Sequence, residues 1–318
     1  MKFTCRRHAL IAALLLLQTA CSTSTPETIH IHAPAIQDVA PAHYPGLHQV
    51  VAYHDGLYSG SMPEGERGFD SLAAMGIKTI ISVDGAVPDV EAARARGMRY
   101  IHLPIGYNGF DETRRLQLIK ASTTHLQDGP VYVHCHHGKH RSAAAVGSVV
   151  VAMGWLSPDE ARVRMNVSEI SPKYRGLIQC ATESKHVDAG MLASVANEFP
   201  EVAKPETFVE AMVRIDEVIE HLKHLQTTQW KPSADHPDLV PASEAGRLAD
   251  LLRVSAGGKR AQREGLDFTK GLMDNEHEAS MLEELIIASV DPTLITAQFK
   301  RVEQSCKKCH EQFRDNVD

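Results

Sequence analysis

Between about residues 46 and 187, short strand-like runs alternate along the chain with longer helical stretches. The short runs are rich in residues that favour strands, and they lie at 56–60, 77–83, 99–103 and 131–133. The helical stretches lie at 66–75, 88–96, 111–127, 142–153, 158–168 and 172–183. Strands that alternate with helices predict an α/β fold with a largely parallel central sheet and helices on its faces.

Beyond about residue 200 the strand pattern ends and a helical pattern takes over. Its first helix carries apolar side chains three and four positions apart, at Phe208, Met212, Ile215, Ile219, Leu222 and Leu225. Further amphipathic helices are predicted around 248–252, 272–286 and 294–313, with a longer connection at 227–241. This pattern predicts an all-α four-helix bundle.

Length and composition agree with two folded regions preceded by a linker. The chain has 318 residues, and 43% hydrophobic with 23% charged residues is typical of a globular protein. A net charge of −7 gives no reason to expect nucleic acid as a partner. We predict a signal peptide at 1–20, a flexible linker rich in Ser, Thr, Pro and Ala at 21–45, an α/β domain at 46–187 and a helical domain at 201–318.

The N-terminus has the pattern of an export signal. Positive charge precedes the uncharged apolar run 9–17, which is too short to cross a bilayer. The run leads to Gln18-Thr19-Ala20-Cys21, which resembles a bacterial lipobox, although Gln18 stands where such a box usually has Leu. The resemblance implies a lipoprotein of the bacterial periplasm that is attached to the membrane through Cys21. Ordinary secretion, with Cys21 as a free thiol, is the alternative.

A cysteine loop follows the last predicted strand. Cys135 begins this loop, and Arg141 and Ser142 end it where a helix is predicted to start. A strand–loop–helix turn directs backbone N–H groups and a helix N-terminus towards one point, which favours an anion and a cysteine thiolate. Gly138 allows close backbone approach, and Arg141 can bind two phosphate oxygens. These parts suit attack of the thiolate on a phosphoester, with the Ser142 hydroxyl hydrogen-bonded to the sulfur as it is released.

The order His134-Cys135, five residues, Arg141-Ser142 resembles the signature of the protein tyrosine and dual-specificity phosphatase superfamily. The resemblance covers about 46–187. It implies a cysteine-dependent phosphatase that acts on a phosphorylated protein or small molecule. The residues of the phosphate-binding loop would be His136, His137, Gly138, Lys139 and His140.

These enzymes use an aspartic acid from a separate loop to protonate the leaving oxygen. Asp111 is the best positional match, because it follows the strand that ends at Leu103 and precedes a helix. Asp84 and Asp89, on the previous strand-to-helix connection, are weaker candidates. The alternative role for Asp111 is to cap that helix.

The histidines of the loop depart from the family pattern. His140 stands where the family usually has a small residue, so its side chain narrows or charges the pocket. Partly protonated histidines would favour a highly anionic substrate. A metal held by His134, His136 and His140 is an alternative, but His134 lies on a predicted strand with its side chain directed away from Cys135. A rhodanese-like sulfurtransferase also uses a cysteine loop, but the Arg-Ser ending fits a phosphatase better.

Cys306, Cys309 and His310 form a C-x-x-C-H motif, the attachment signature of c-type haem. On a helix the two thiols lie near one face and can join the haem vinyls, while His310 can bind the iron as its proximal ligand. A bare thiol pair or half a zinc site is the alternative. With Phe313 and Arg314, the motif resembles the C-terminal helix of the c-prime cytochrome family.

The cytochrome resemblance covers about 201–318. It implies a covalent haem c inside a helix bundle, with Arg314 near the haem pocket and a redox partner or a diatomic gas as partner. Met212, on the apolar face of the first helix, is the candidate sixth iron ligand, although methionine on such a face is also ordinary core filler. His221 on the same helix is predicted to be exposed.

The leading hypothesis is an exported phosphomonoesterase that acts through a phosphocysteine intermediate and is fused to a haem c domain for redox or gas sensing. The alternative hypothesis is an electron-transfer or gas-binding cytochrome whose phosphatase-like domain is inactive and only binds an anion or a partner.

Overall fold

The computed structural model describes Met1, residues 31–204 and residues 207–314. Apart from Met1, the predicted signal peptide lies outside these described residues, and so does the predicted lipid-anchor residue Cys21. None of the helices in the described ranges is long and apolar enough to cross a membrane.

A six-stranded mixed sheet lies in the first half of the chain. Its strands are β1 (Ala42–Tyr44), β2 (Leu47–His54), β3 (Leu57–Ser61), β4 (Thr79–Ser82), β5 (Arg99–His102) and β6 (Val131–Cys135). Their order in the sheet is β1-β2-β3-β6-β4-β5. The β1–β2 and β2–β3 pairs are antiparallel, whereas β3, β6, β4 and β5 are parallel. The four predicted strands correspond to these four parallel strands.

Helices cover both faces of the sheet. On one face lie α1 (Gly65–Ala74) and α2 (Val90–Arg94); on the other lie α3 (Glu112–His125), α4 (Arg141–Ala152), α5 (Pro158–Val167) and α6 (Arg175–Thr182). Side chains alternate along the strands, so that Ile80 and Tyr132 face α1 and α2 while Ile81 and Val133 face the other layer. All six helices correspond to predicted ones, and a short α7 (Ala189–Ala193) follows them.

The β1–β2 hairpin corrects the predicted linker at 21–45. Ala42–Tyr44 falls inside that range but pairs with β2. The hairpin turns at Gly46, whose φ of 70° is a conformation that glycine adopts at little cost. Strand β2 is buried on both faces except at His48 and partly at His54, so its sequence lacks the alternation that marks a half-exposed strand.

The C-terminal region contains helices and, in the part that the structure describes, no strand. Its helices are α8 (Phe208–Thr227), α9 (Pro241–Ala256), α10 (Lys259–Glu264), α11 (Leu266–Ile287) and α12 (Pro292–Phe313). Helix α9 packs on α8 and α11, and α11 packs on α12. These contacts are compatible with the predicted four-helix bundle, to which the short α10 is an unpredicted addition. One apolar cluster continues from the sheet into these helices.

The segment between the two regions is attached to the edge of the sheet. The backbone N–H of His102 on β5 donates to the carbonyl of Pro200 at 2.8 Å, and the N–H of Ala203 donates to Nδ1 of His102 at 3.0 Å. These bonds cover part of the outer edge of β5, where an edge strand otherwise leaves backbone groups unpaired. The chain is therefore held at the sheet a few residues before α8 begins.

Candidate active site at Cys135

The parallel strands bring three connections together at one edge of the sheet. Because β3, β6, β4 and β5 are parallel, their carboxyl ends lie at the same edge. Cys135 ends β6, Asp84 follows β4, and Tyr107 lies in the connection after β5. Side chains that are distant in sequence can therefore meet around Cys135.

The loop from Cys135 to Ser142, called the Cys135 loop below, has the predicted strand–loop–helix form. Cys135 is buried, and its Sγ lies 3.4 Å from Oγ of Ser142 in the first turn of α4. The N–H of Met62, just after β3, donates to the carbonyl of His136 at 3.1 Å and holds the loop against the neighbouring strand. The Ser142 hydroxyl therefore lies beside the Cys135 thiol, where the sequence predicts it.

Gly138 lets the Cys135 loop pack directly on β3. Its φ is 77°, and an added Cβ would lie 2.4 Å from the carbonyl carbon of Gly60. We therefore expect Gly138→Ala to lower the free energy of unfolding by about 2–4 kcal/mol, measured by urea denaturation. Gly154→Ala is the matched control, because Gly154 has a similar φ of 68° but no atom within 4 Å of the added Cβ. That control should lose only about 1 kcal/mol; equal losses would contradict the close contact.

Arg141 is almost fully buried, and its guanidinium binds a carboxylate from the helical region. Its Nη1 donates to Oδ2 of Asp250 on α9 at 3.0 Å, and its Nη2 donates to Oδ1 at 3.2 Å. This two-oxygen contact is the geometry with which arginine binds carboxylates and phosphates. Tyr107 adds its ring, 4.3 Å from the guanidinium carbon, and its hydroxyl accepts from Nη2 at 3.0 Å.

Asp84 binds two guanidinium groups at once. One of its oxygens accepts from Arg141 Nη2 at 3.1 Å, and the other accepts from Arg253 Nη2 on α9 at 2.6 Å. Burial alone would raise the pKa of Asp84, but Arg141 and Arg253 outweigh burial and hold this pKa well below its usual value. Asp84 therefore stays ionised and orients Arg141. It is not the proton donor considered as a weaker candidate above.

The two other aspartates considered as acids both cap helices. Asp111 accepts from the N–H of Arg114 at 2.8 Å at the start of α3, and its side chain is exposed. Asp89 accepts from the N–H of Ala92 at 3.0 Å at the start of α2. The capping role of Asp111 is thus present, and its role as the general acid stays a prediction.

Burial lowers the pKa of the histidines in the Cys135 loop and of His134, which precedes it on β6. Burial lowers the pKa of His134 to about 4, and it lowers those of His136 and His140 to about 3. Burial also lowers the pKa of His137. Burial first, and then the nearby positive charge of Arg141 and, for His136 and His137, of Arg253, therefore act against the partly protonated histidines that the sequence suggested.

The contacts of these rings are internal. Nε2 of His134 lies 2.6 Å from the hydroxyl of Tyr100, and Nδ1 of His140 accepts from the N–H of Ser171 at 3.4 Å. The His140 ring packs 4.3 Å from the ring of Tyr174. His140 therefore belongs to the wall of the site, and these bonds engage nitrogens that the metal alternative would use.

Glu283 on α11 lies behind this aromatic wall. It is 8% exposed and accepts a hydrogen bond from the hydroxyl of Tyr174. Burial raises its pKa from 4.5 to about 7. Between these two pH values the folded state holds a proton that the unfolded chain releases. This contribution to stability is therefore full below pH 4.5 and is lost as the pH rises to about 7.

Replacement of Glu283 by glutamine should remove this pH dependence. At pH 8 we expect Glu283→Gln to be more stable than the wild type by up to about 3 kcal/mol, because no carboxylate is then buried. At pH 4.5 the two proteins should have similar stability. Urea denaturation at both pH values measures the difference. Glu284→Gln is the matched control, since Glu284 is exposed; an equal gain at pH 8 in this control would contradict the prediction.

The connection that leads to Asp111 is held by the helical region. Nδ2 of Asn108 donates to Oε1 of Glu244 on α9 at 3.1 Å. The other Glu244 oxygen lies 2.9 Å from Nδ1 of His221 on α8. His221 is therefore half-buried with a carboxylate partner, which corrects the expectation that it is exposed.

The C-x-x-C-H motif lies on the last turns of α12. Cys306 and Cys309 are free thiols on a face turned towards neighbouring helices, and burial raises the pKa of Cys306 to about 11. Opposite them on α11, an added Cβ at Gly271 would lie 3.6 Å from Sγ of Cys309, so α11 presents no side chain there.

The other residues assigned to the predicted haem site are also in the described structure. His310 is half-buried, and Met212 is half-buried on α8 against the apolar cluster. Arg314 caps the end of α12.

Comparisons with known proteins give low similarity. No protein-family model and no curated protein matches the chain. The solved structure of TpbA from P. aeruginosa is 19% identical with a TM-score of 0.41, over 49% of this chain and 96% of TpbA. A cysteine-to-serine variant of TpbA in complex with pTyr is 18% identical with a TM-score of 0.39, over 47% and 91%. Human DUSP28 is 21% identical with a TM-score of 0.35, over 45% and 97%. The function is therefore inferred from the residues of the chain itself.

Proposed function

We propose that the chain is a cysteine-dependent phosphomonoesterase that acts through a phosphocysteine intermediate. The observation that carries the proposal is the joint placement of Cys135, Arg141 and Ser142 between β6 and α4. The thiol lies 3.4 Å from the Ser142 hydroxyl, and Arg141 already presents two N–H donors to the two oxygens of a carboxylate. A nucleophile beside an oxyanion-binding arginine is the arrangement that phosphoryl transfer needs.

In the first step, Sγ of Cys135 attacks phosphorus as a thiolate. The S–P bond forms while the P–O bond to the leaving group breaks, and the leaving oxygen takes a proton from a general acid. In the second step, the oxygen of a water molecule attacks phosphorus while the deprotonated general acid, now acting as a base, takes a proton from that water. The S–P bond then breaks, and inorganic phosphate and the thiolate are released. The Ser142 hydroxyl donates a hydrogen bond to the departing sulfur.

Asp111 is the proposed general acid. It ends the connection after β5, which opens at the same edge of the sheet as Cys135. Its side chain is exposed to solvent, so the proposed role requires that a bound substrate extends to it. Asn108 in the same connection is fixed to α9, which limits the positions that the connection can take.

The experiment that tests the proposal traps the intermediate. The purified full-length chain is mixed with p-nitrophenyl phosphate, quenched in acid during turnover, and digested for mass spectrometry. We expect a phosphoryl group on the peptide that contains Cys135. Hydrolysis without a phosphoryl group on this thiol would reject the phosphocysteine mechanism.

We also propose that the helical region binds haem c covalently through Cys306 and Cys309, with His310 as the proximal iron ligand. The donor set supports this proposal, because two free thiols and an imidazole share the end of one helix opposite Gly271. Met212 is the candidate sixth ligand. Arg314 is assigned to the haem pocket on the family resemblance. A bound haem supplies a one-electron centre or a binding position for a diatomic gas, so a redox partner or such a gas is the proposed partner.

We propose that the protein is exported to the bacterial periplasm and anchored to the membrane by a lipid on Cys21. The support is the sequence of the first 21 residues alone, in which an apolar run leads to this cysteine. Export agrees with the haem proposal, since bacterial c-type haem is attached outside the cytoplasm.

A second candidate function is an electron-transfer or gas-binding cytochrome whose phosphatase-like region only binds an anion or a partner. The occupied guanidinium of Arg141 favours this alternative, because Asp250 stands where a substrate phosphate would bind. The two functions are separated by turnover. A full-length chain that binds an oxyanion but hydrolyses no aryl phosphate would support the second candidate.

A further inference from the structure

We infer that Asp250 on α9 is an internal inhibitor of the Cys135 site. Its carboxylate occupies the edge of the Arg141 guanidinium that a substrate phosphoryl group needs. This inference rests on the proposed function, since it describes how that same site is regulated. A substrate would then bind only after Asp250 is displaced.

The geometry of the contact is that of a bound oxyanion. Both oxygens of Asp250 accept from Arg141, at 3.0 and 3.2 Å, one from each terminal nitrogen. Arginine binds phosphate by the same pair of parallel hydrogen bonds. A carboxylate and a phosphoryl group therefore compete directly for these donors.

Four charged side chains around Arg141 balance one another only while Asp250 is in place. Arg141 and Arg253 carry two positive charges, and Asp84 and Asp250 carry two negative charges, in a cluster with side-chain exposures of 1–16%. Without Asp250 the remaining three side chains carry a net charge of +1, before the proposed Cys135 thiolate is counted, and Arg141 keeps only Asp84 and Tyr107 as acceptors. Loss of one partner of a buried charge cluster therefore favours the binding of an anion at the freed donors.

Two glycines allow α9 to come this close. An added Cβ at Gly85, just after Asp84, would lie 3.0 Å from Oδ2 of Asp250. An added Cβ at Gly246, on α9 itself, would lie 3.1 Å from the ring of Tyr107 and 2.6 Å from Oε1 of Glu283. The connection after β4 and helix α9 thus each have a glycine where the other approaches. The two surfaces are therefore complementary in shape.

Polar contacts on α9 fix the position of Asp250. Glu244, near the start of α9, is fully buried and accepts from Asn108, while Ser243 donates to the carbonyl of Tyr107 at 3.4 Å. Almost two helical turns further along α9, Asp250 meets Arg141. Because α9 packs on α8 and α11, a rearrangement among these helices would withdraw Asp250 and open the site.

The test measures oxyanion binding and turnover in the full-length chain. Tungstate is titrated calorimetrically into a Cys135→Ser variant with and without Asp250→Ala. Loss of the competing carboxylate should tighten tungstate binding by about tenfold or more, which is the expected scale for a charge-assisted hydrogen-bond pair. On the wild-type background, Asp250→Ala should lower KM for p-nitrophenyl phosphate by a similar factor with little change in kcat.

Three control variants show whether the change in tungstate affinity and KM comes from the contact between Asp250 and Arg141. Asp216→Ala removes an exposed aspartate from α8 and should change neither quantity. Arg141→Ala added to Asp250→Ala should abolish the gain, because the two-oxygen contact that is freed belongs to Arg141, whereas Arg253 binds only one Asp250 oxygen and also binds Asp84. Asp250→Asn keeps the size of the side chain and gives the same comparison where the alanine variant does not fold.

The outcomes separate this inference from the proposed function. A folded Asp250→Ala variant that binds tungstate no tighter than its parent overturns the inhibitor, even if turnover depends on Cys135. Tighter tungstate binding that requires Arg141 supports the inhibitor, even if no variant hydrolyses the aryl phosphate. In that case the proposed phosphatase activity is rejected, while the inhibitory role of Asp250 at an oxyanion site is retained.

Discussion

Cys135→Ser should abolish hydrolysis of an aryl phosphate, with a fall in kcat of about 10³-fold or more. The thiolate is the proposed nucleophile, and a serine hydroxyl at the same place keeps its proton at neutral pH. The substitution changes one atom in a buried side chain, so the Cys135 loop should keep its shape. Steady-state hydrolysis of p-nitrophenyl phosphate by the full-length chain measures the effect.

Oxyanion binding serves as the control for this variant. Arg141 and the backbone of the Cys135 loop remain and the proposed thiolate charge is removed, so Cys135→Ser should bind tungstate at least as tightly as the wild type. Turnover that survives the substitution would disprove the nucleophilic role of Cys135. Loss of both turnover and tungstate binding would instead indicate a damaged loop, and circular dichroism would then report the lost fold.

The double variant Cys306→Ala/Cys309→Ala should lose all covalently bound haem. Both thioether bonds in the proposed attachment come from these thiols, so no covalent link remains when both are replaced. The protein is exported from a host that attaches c-type haem, denatured, and extracted with acidified acetone. Soret absorbance that stays with the wild-type chain and disappears from the variant is the expected result.

The matched control lies inside the same motif. Lys307→Ala/Lys308→Ala replaces the two intervening residues and keeps both thiols and His310, so haem should stay attached. A wild-type chain that carries no covalent chromophore under these conditions would refute the haem proposal. Equal retention in the double cysteine variant would show that the chromophore is held in another way.

The parallel part of the fold was predictable because its sequence is locally consistent. Strands β4, β5 and β6 each contain a short run of strand-favouring residues, β3 begins with Leu57-Tyr58, and the helices of the α/β region carry recognisable periodicity. The hairpin at Ala42–Tyr44 and Leu47–His54 was not predictable. Its first strand is short and lies in a stretch with linker composition, and its second strand is buried on both faces.

The site was predictable only as far as it is local. Cys135, Arg141 and Ser142 lie within eight residues, so spacing alone placed them together. Asp250 is 109 residues from Arg141, and no local pattern distinguishes it from an ordinary polar residue on an amphipathic helix. The burial of the histidines in and next to the Cys135 loop was missed for the same reason, since it depends on distant contacts such as that between His134 and Tyr100.

The bonds between His102 and the segment around Pro200 and Ala203 have a consequence for any ligand of the site. From Ala203 to the start of α8 at Phe208, the chain can span at most about 18 Å, at 3.3–3.6 Å per residue. This segment, α8 and the connection 228–240 join the attachment point to α9, so a displaced Asp250 stays in the same molecule as Arg141, at an effective concentration on the order of millimolar. A phosphorylated ligand must therefore compete with a carboxylate that is always present in the same molecule. A low concentration of such a ligand would leave Asp250 bound to Arg141 and the site closed.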